Sequence, residues 1–159
     1  MRDQTRTNLT LLTIAVLLGL LVWWSQPSPP QPLSQLVPQE ITSIEINNGS
    51  GEPILLRLTD NQWLIGDRPA DSGRIEQLLK ISETPSLHRF AAPRDLQPYG
   101  LAPAHLTLRL NQELFAFGVN DPVNGWRYVL HRDEIHLIGD GFHHHLTAPS
   151  KTWMETPDA

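Results

Sequence analysis

The sequence predicts an α+β protein: an N-terminal single transmembrane helix followed by an antiparallel β-meander and hairpin domain with one main helix. Three observations support this fold class. Residues 7–24 are apolar and carry no charge. Short segments in which apolar and polar residues alternate recur from residue 40 onward. Apolar residues at helical spacing follow Asp71, at Ile75, Leu78 and Leu79.

Residues 7–24 have the length and composition of a membrane anchor. At 1.5 Å per residue they extend about 27 Å, close to the roughly 30 Å of a hydrocarbon core. Basic residues precede the run and Trp23 and Trp24 close it, which predicts residues 1–6 in the cytoplasm and the remainder outside the cytoplasmic (inner) membrane, in the periplasm. A cleaved signal peptide is the alternative, but Trp-Trp-Ser-Gln-Pro offers no small-residue cleavage site. A buried core helix is a second alternative, which leaves the basic flank unexplained.

Residues 25–38 are predicted to form a linker. They contain five prolines and no charge, and proline-rich chains favour the extended polyproline II form. Fully extended, the segment would reach about 40 Å at 3.1 Å per residue. A docking motif for a proline-reading partner is the alternative. Residues 39–148 then form one extracytoplasmic domain, and residues 149–159 a C-terminal tail without a clear pattern.

Composition excludes several function classes. Without Arg2, Arg6 and Asp3, 10 basic and 16 acidic residues remain, a net charge of −6 that disfavours nucleic acid as a partner. The absence of cysteine excludes disulfides, thiol catalysis and cysteine-based metal sites. No G-x-S-x-G or S-x-x-K motif is present, and Gly49-Ser-Gly51 is too short for a phosphate loop. We therefore predict no enzyme and no cofactor.

Two stretches of the domain resemble one another. ILLRLTDNQWLIG at residues 54–66 aligns without a gap on LTLRLNQELFAFG at residues 106–118. Large side chains keep strand parity in both, which indicates two similar β-hairpin units in one sheet or in two. Chance similarity between amphipathic hairpins is the alternative.

A further hairpin is predicted around Arg132 and Asp133. Tyr128, Leu130, Ile135 and Leu137 should share one face. The other face is mostly polar and is therefore predicted to face solvent; its members are Val129, His131, Glu134 and His136. A short helix should follow at residues 140–146, capped by Asp140.

Several short segments resemble a bacterial family, domain of unknown function 4340. They are ITSIEI at 41–46, WLI at 63–65, the helix start at Ala70 and Asp71 with Leu78 and Leu79, YGLAP at 99–103, FG at 117–118, RYV at 127–129 and HLI at 136–138. The resemblance implies a membrane-anchored extracytoplasmic domain, of a kind also found in auxiliary components of gliding-motility-type ABC transporters. It implies no catalytic residues.

Two groups of residues are candidates for binding. His143, His144 and His145 carry imidazoles that bind zinc, copper or nickel, but consecutive residues point in different directions, so a solvated polar patch is favoured over a metal site. Asn124 and Trp126 are candidates for a contact surface, although core packing is the preferred role for Trp126.

The predicted function is that of a non-catalytic accessory or scaffold protein in a bacterial envelope complex, for which an ABC-type transporter is a candidate. Its predicted partners are the lipid bilayer, through the N-terminal helix, and an envelope protein. A module that binds glycans or peptides through residues 119–126 is the alternative, followed by a histidine-based metal-binding protein.

Overall fold

No described side chain of the N-terminal helix belongs to either core of the folded domain. The computed structural model describes residues 2–25 and 30–155, with side chains from residue 11 onward. Helix α1 spans Arg2–Trp24 and includes the predicted transmembrane segment, of which the side chains of residues 7–10 lie outside the description. Within the part of the chain that is described, no helix is both long and apolar enough to cross a bilayer.

The domain is built on a single antiparallel sheet of nine strands, so its α+β class is confirmed. The strands lie side by side in the order β4-β3-β2-β1-β6-β7-β8-β9-β5. Their bounds are β1 Ser43–Asn47, β2 Ile54–Thr59, β3 Gln62–Ile65, β4 Arg68–Pro69, β5 His88–Ala91, β6 Leu106–Leu110, β7 Glu113–Asn120, β8 Arg127–His131 and β9 Glu134–Ile138. Helix α2 spans Ser72–Leu79, and helix α3 spans His143–Leu146.

Both of the similar stretches form hairpins, and both belong to this one sheet. The first stretch is the hairpin β2–β3 and the second is β6–β7, with β1 between them. Asp60 and Asn61 have φ angles of 49° and 64°, the mirror-image turn that suits a two-residue hairpin. The two halves of the sheet meet where β1 pairs with β6.

The main core lies on one face of the sheet, under α2 and the C-terminal segment. Asp71 caps α2 by accepting a hydrogen bond from the backbone nitrogen of Arg74, at 3.0 Å, and Ile75 and Leu78 are fully buried. Trp153 is also fully buried in this core, and the backbone nitrogen of Asp71 donates to its carbonyl at 3.0 Å. The prediction of a patternless tail over residues 149–159 therefore missed Trp153, which anchors residues 149–155 to the domain; residues 156–159 lie outside the description.

Much of the predicted linker also belongs to the domain. Leu33 is 2% exposed and lies in the main core. Its backbone nitrogen donates to the carbonyl of Thr84 at 2.8 Å, and that of Ser86 donates to the carbonyl of Gln31 at 2.8 Å. The linker prediction for residues 25–38 is therefore wrong from residue 31 onward, because Leu33 supplies core surface that proline content did not reveal. We call residues 31–35 the strap.

The opposite face is covered only over the second half of the sheet. There the connection around residues 92–104 packs Leu101 against Ala116 and Ile135 in a second, smaller core. Gly118 allows this approach: a Cβ on it would come within 1.9 Å of the carbonyl oxygen of Tyr99. Strands β7 to β9 are therefore packed on both faces.

Candidate functional site

The hairpin β8–β9 places two histidines inside the protein. His131 is 7% exposed and His136 is 3% exposed. The prediction that they share a solvent face with Val129 is wrong, since Val129 is fully buried in the main core. Of the four predicted solvent-facing residues, only Glu134 is exposed. Alternation identified the two faces correctly but could not reveal that both are covered.

His131 sits between two acceptors and an aromatic ring. Its Nε2 lies 3.0 Å from Oε2 of Glu113, and its Nδ1 lies 3.2 Å from the carbonyl oxygen of Leu114. Oε2 of Glu113 is buried and has no hydrogen-bond partner among the described residues, so its approach to Nε2 is a close contact and not a hydrogen bond. The ring of Phe115 stacks on it with 4.3 Å between centroids. This geometry fixes the imidazole in place.

Glu113 joins His131 to the exposed Arg132. Its Oε1 accepts from Nη2 of Arg132 at 2.6 Å, so a single carboxylate serves both neighbouring side chains. The side chain of Glu113 is 20% exposed, whereas that of Arg132 is 71% exposed. The guanidinium of Arg132 therefore remains open to solvent and to other anions.

His136 is held by a serine on the neighbouring segment. Its Nδ1 lies 3.0 Å from Oγ of Ser86, which in turn donates to the carbonyl of His88 at 3.1 Å. Because that hydroxyl proton goes to a carbonyl, Nδ1 carries the hydrogen, and Nε2 is the free acceptor. Burial lowers the pKa of His136; the carboxylate of Glu134 opposes this, while His131 and Arg89 add smaller effects that lower it. Ser86 and His136 therefore position one another and do not form a nucleophile and its base.

A cavity of about 330 Å³ opens beside these histidines. The strap forms one wall, and Arg89, His131, Arg132, Glu134 and His136 form the other. Its volume lies at the small end of the range for ligand sites, roughly 300–1,000 Å³. Two guanidinium groups, of Arg89 and Arg132, and one carboxylate, of Glu134, line the cavity, so it can receive a carboxylate or another small anion.

The three consecutive histidines lie elsewhere, in α3. The rings of His144 and His145 are 3.9 Å apart, and Nδ1 of His143 and of His145 are buried without a hydrogen-bond partner. Burial lowers the pKa of His145, with smaller contributions from His144 and Arg74. Across residues 2–25 and 30–155, no three or more side chains that bind metals are grouped to hold an ion.

The predicted contact residues lie on the loop between β7 and β8. Asn124 is exposed, and its backbone and side-chain nitrogens both donate to Oδ2 of Asp121 at 3.0 Å. Tyr128 donates to the other oxygen of that carboxylate at 3.0 Å. Trp126 is half-buried and belongs to neither core. Hydrogen bonds to Asp121 thus hold the loop together, while Asn124 and part of the Trp126 side chain remain accessible to solvent.

Neither a family model, nor a curated protein, nor a solved structure matches this chain. Sequence reasoning had identified His131 and His136 but assigned them to solvent. One signal could have corrected it: Val129 shares their strand parity, and a β-branched apolar residue on a supposed solvent face indicates a covered face.

Proposed function

We propose that this chain is a non-catalytic accessory protein of a bacterial envelope complex, attached to the inner membrane by α1 with its domain in the periplasm. An ABC-type transporter is one candidate for that complex. The observation that supports the proposal is the exposed apolar surface of α1.

Every described side chain of α1 is exposed. Its large apolar residues are between 47% and 92% exposed, and they point to all sides of the helix. They are Leu11, Leu12, Ile14, Val16, Leu17, Leu18, Leu20, Leu21, Val22, Trp23 and Trp24. Monomeric soluble proteins rarely leave such a large contiguous apolar surface in water. Lipid or a helix of a membrane partner provides the cover that the domain does not.

The buried polar side chains and the accessible surfaces of the domain support an accessory role. Its buried polar residues are used in pairs that fix geometry, as in the contacts of Glu113 with His131 and of Ser86 with His136. Its accessible features are a sheet edge and a small cavity lined by arginines, which are suited to binding another molecule.

Membrane fractionation of the full chain tests the attachment. In bacterial cells the protein should sediment with membranes and remain there after alkaline carbonate washing. Leu17→Lys combined with Leu18→Lys should release it, because each lysine costs about 2.5–3.5 kcal/mol at the centre of a membrane helix. Leu55→Lys, an exposed position in the domain, is the matched control and should stay with the membrane. Wild-type protein in the soluble fraction would overturn the proposal.

Affinity purification from solubilised membranes tests the accessory role. A partner should co-purify in a stable ratio after mild cross-linking. Recovery of the chain alone, at several expression levels, would argue against a complex even if attachment to the membrane holds.

A further inference from the structure

The sheet has an open edge at β5. Strand β5 is the last in the order, and among the described strands it pairs with β9 alone. The backbone nitrogen of Ala92 donates to the carbonyl of Asp133 at 2.8 Å. Alternate residues of a strand direct their backbone groups to opposite sides, so those of Arg89 and Ala91 point away from β9. Within residues 30–155, no hydrogen bond fills these outward groups.

The residues just before β5 already pair with another extended segment, the strap. The strap runs antiparallel to residues 82–86, with Leu33 bonded to Thr84 and Ser34 to Ser82 at 2.8 and 3.1 Å. The edge from residue 88 to 91 is therefore a continuation of a surface that already binds an extended chain.

The basic cavity lies directly beside this edge. Arg89 is opposite His136 across β5 and β9, so their side chains share a face, and both line the cavity. Arg89 is exposed and forms no ion pair with any described residue. Arg132, on the cavity wall, is mostly exposed. A chain added to β5 would place every second side chain on this face.

We propose that the outer edge of β5 and the adjoining cavity form a docking site for an extended acidic segment of a partner protein. The segment adds a strand through the backbone groups of Arg89 and Ala91, and one of its carboxylates enters the cavity between the guanidinium groups of Arg89 and Arg132. This mode combines main-chain bonds for affinity with a charged pocket for specificity. The inference deepens the proposed accessory function by stating the chemistry of the partner.

Other occupants fit this edge less well. The preceding segment of this chain has prolines at positions 27, 29 and 30, which lack the N–H group that a ladder requires. A second copy of β5 would bring two Arg89 guanidinium groups onto one small strand pair, and like charges there repel. A partner carboxylate is favoured instead.

Selection from a displayed pool of random heptapeptides, using the purified full chain in detergent, tests the proposal. The enriched peptides should carry Asp or Glu at one position flanked by β-branched residues. A labelled enriched peptide should then bind at least about tenfold more weakly to Arg89→Gln, and its binding should weaken with salt. Arg57→Gln is the matched control, because Arg57 is exposed on the other half of the sheet, and it should bind as wild type does.

Two further variants keep the test decisive. Ala91→Pro removes the outward N–H and should abolish binding, while the pairing with β9 does not use that group. If this variant unfolds, Arg89→Glu still tests the proposal, because peptides selected on it should carry Lys or Arg in place of the acidic residue. No enrichment, enrichment without acidic residues, equal binding by Arg89→Gln, or dimers in light scattering would each overturn the proposal. Peptide binding is measured away from membranes, so its failure is distinguishable from failure of membrane attachment.

Discussion

Arg127 and Asp140 form a two-point ion pair that ties β8 to the segment after β9. Nε of Arg127 lies 2.5 Å from Oδ1, and Nη2 lies 3.1 Å from Oδ2. Nη1 donates to the carbonyl of Gly118 at 2.6 Å. Asp140 was predicted to cap a helix, but its carboxylate is used by Arg127 instead. One guanidinium thus joins three parts of the chain.

Arg127→Gln should lower the free energy of unfolding by about 2–4 kcal/mol, because it leaves a partly buried carboxylate without its cation. The side chains of Arg127 and Asp140 are 14% and 31% exposed. Urea denaturation measures the loss. Arg109→Gln is the control: its ion pair with Glu45 spans 3.5 Å between side chains that are 43% and 42% exposed, so its loss should be below about 1 kcal/mol. Equal losses would contradict the structural role of Arg127.

Stability should fall as the pH drops below the ordinary pKa of histidine. Burial lowers the pKa of His136 from the ordinary histidine value of 6.5, so the unfolded chain binds a proton more readily than the folded one. Protonation of His136 therefore leaves the free energy of unfolding unchanged above pH 6.5 and lowers it as the pH falls toward the lower pKa of the folded state. His145 acts in the same direction.

His136→Gln should reduce this pH dependence, whereas His105→Gln, at an exposed position, should leave it unchanged. Denaturation series between pH 8 and 5 provide the measurement, with about 1.4 kcal/mol expected for each unit by which the two pKa values differ. An identical slope in His136→Gln and wild type would show that His136 does not cause it.

Trp153→Ala should cost about 3–5 kcal/mol, since a fully buried indole leaves a cavity that the core cannot close. Trp126→Ala, at a half-buried position, should cost about 1–2 kcal/mol. Thermal and urea unfolding of both variants compare the two tryptophans directly. A small loss for Trp153→Ala would mean that residues 149–155 are not part of the cooperative unit.

Gly118→Ala should destabilise the protein by about 2 kcal/mol or more, because the new methyl group collides with the carbonyl of Tyr99 and must push the covering connection outward. Gly139→Ala is the control: nothing lies within 4 Å of its added Cβ, and its φ of −62° suits alanine. Comparable melting temperatures for the two variants would show that the connection yields without cost.

Local patterns were sufficient to predict most individual elements. The spacing of Ile75, Leu78 and Leu79 correctly predicted α2 and its buried face, and Asp71 is its cap. Such features depend on near neighbours in the chain, which is why the sequence alone reveals them.

Features that depend on distant partners were harder to predict. Leu33 is buried by segments some 50 residues away, and Trp153 by the start of α2. The alternating pattern of β8 and β9 could not show that the face of Val129, which was assigned to solvent, joins the main core. The burial of His136 also depends on distant segments, since Ser86 and the strap lie against it and neither belongs to its own hairpin.

Because the strap is packed on the domain, the linker between α1 and the domain is shorter than predicted. Gln31 follows Ser25 by six positions, so even a fully extended chain joins them over at most about 20 Å, half the reach of the predicted linker. For a chain anchored by α1, halving the radius confines the domain to about one eighth of the volume. Its effective concentration toward a binding site near the anchor rises by the same factor, about eightfold. The tether thereby favours partners that lie close to the point of attachment.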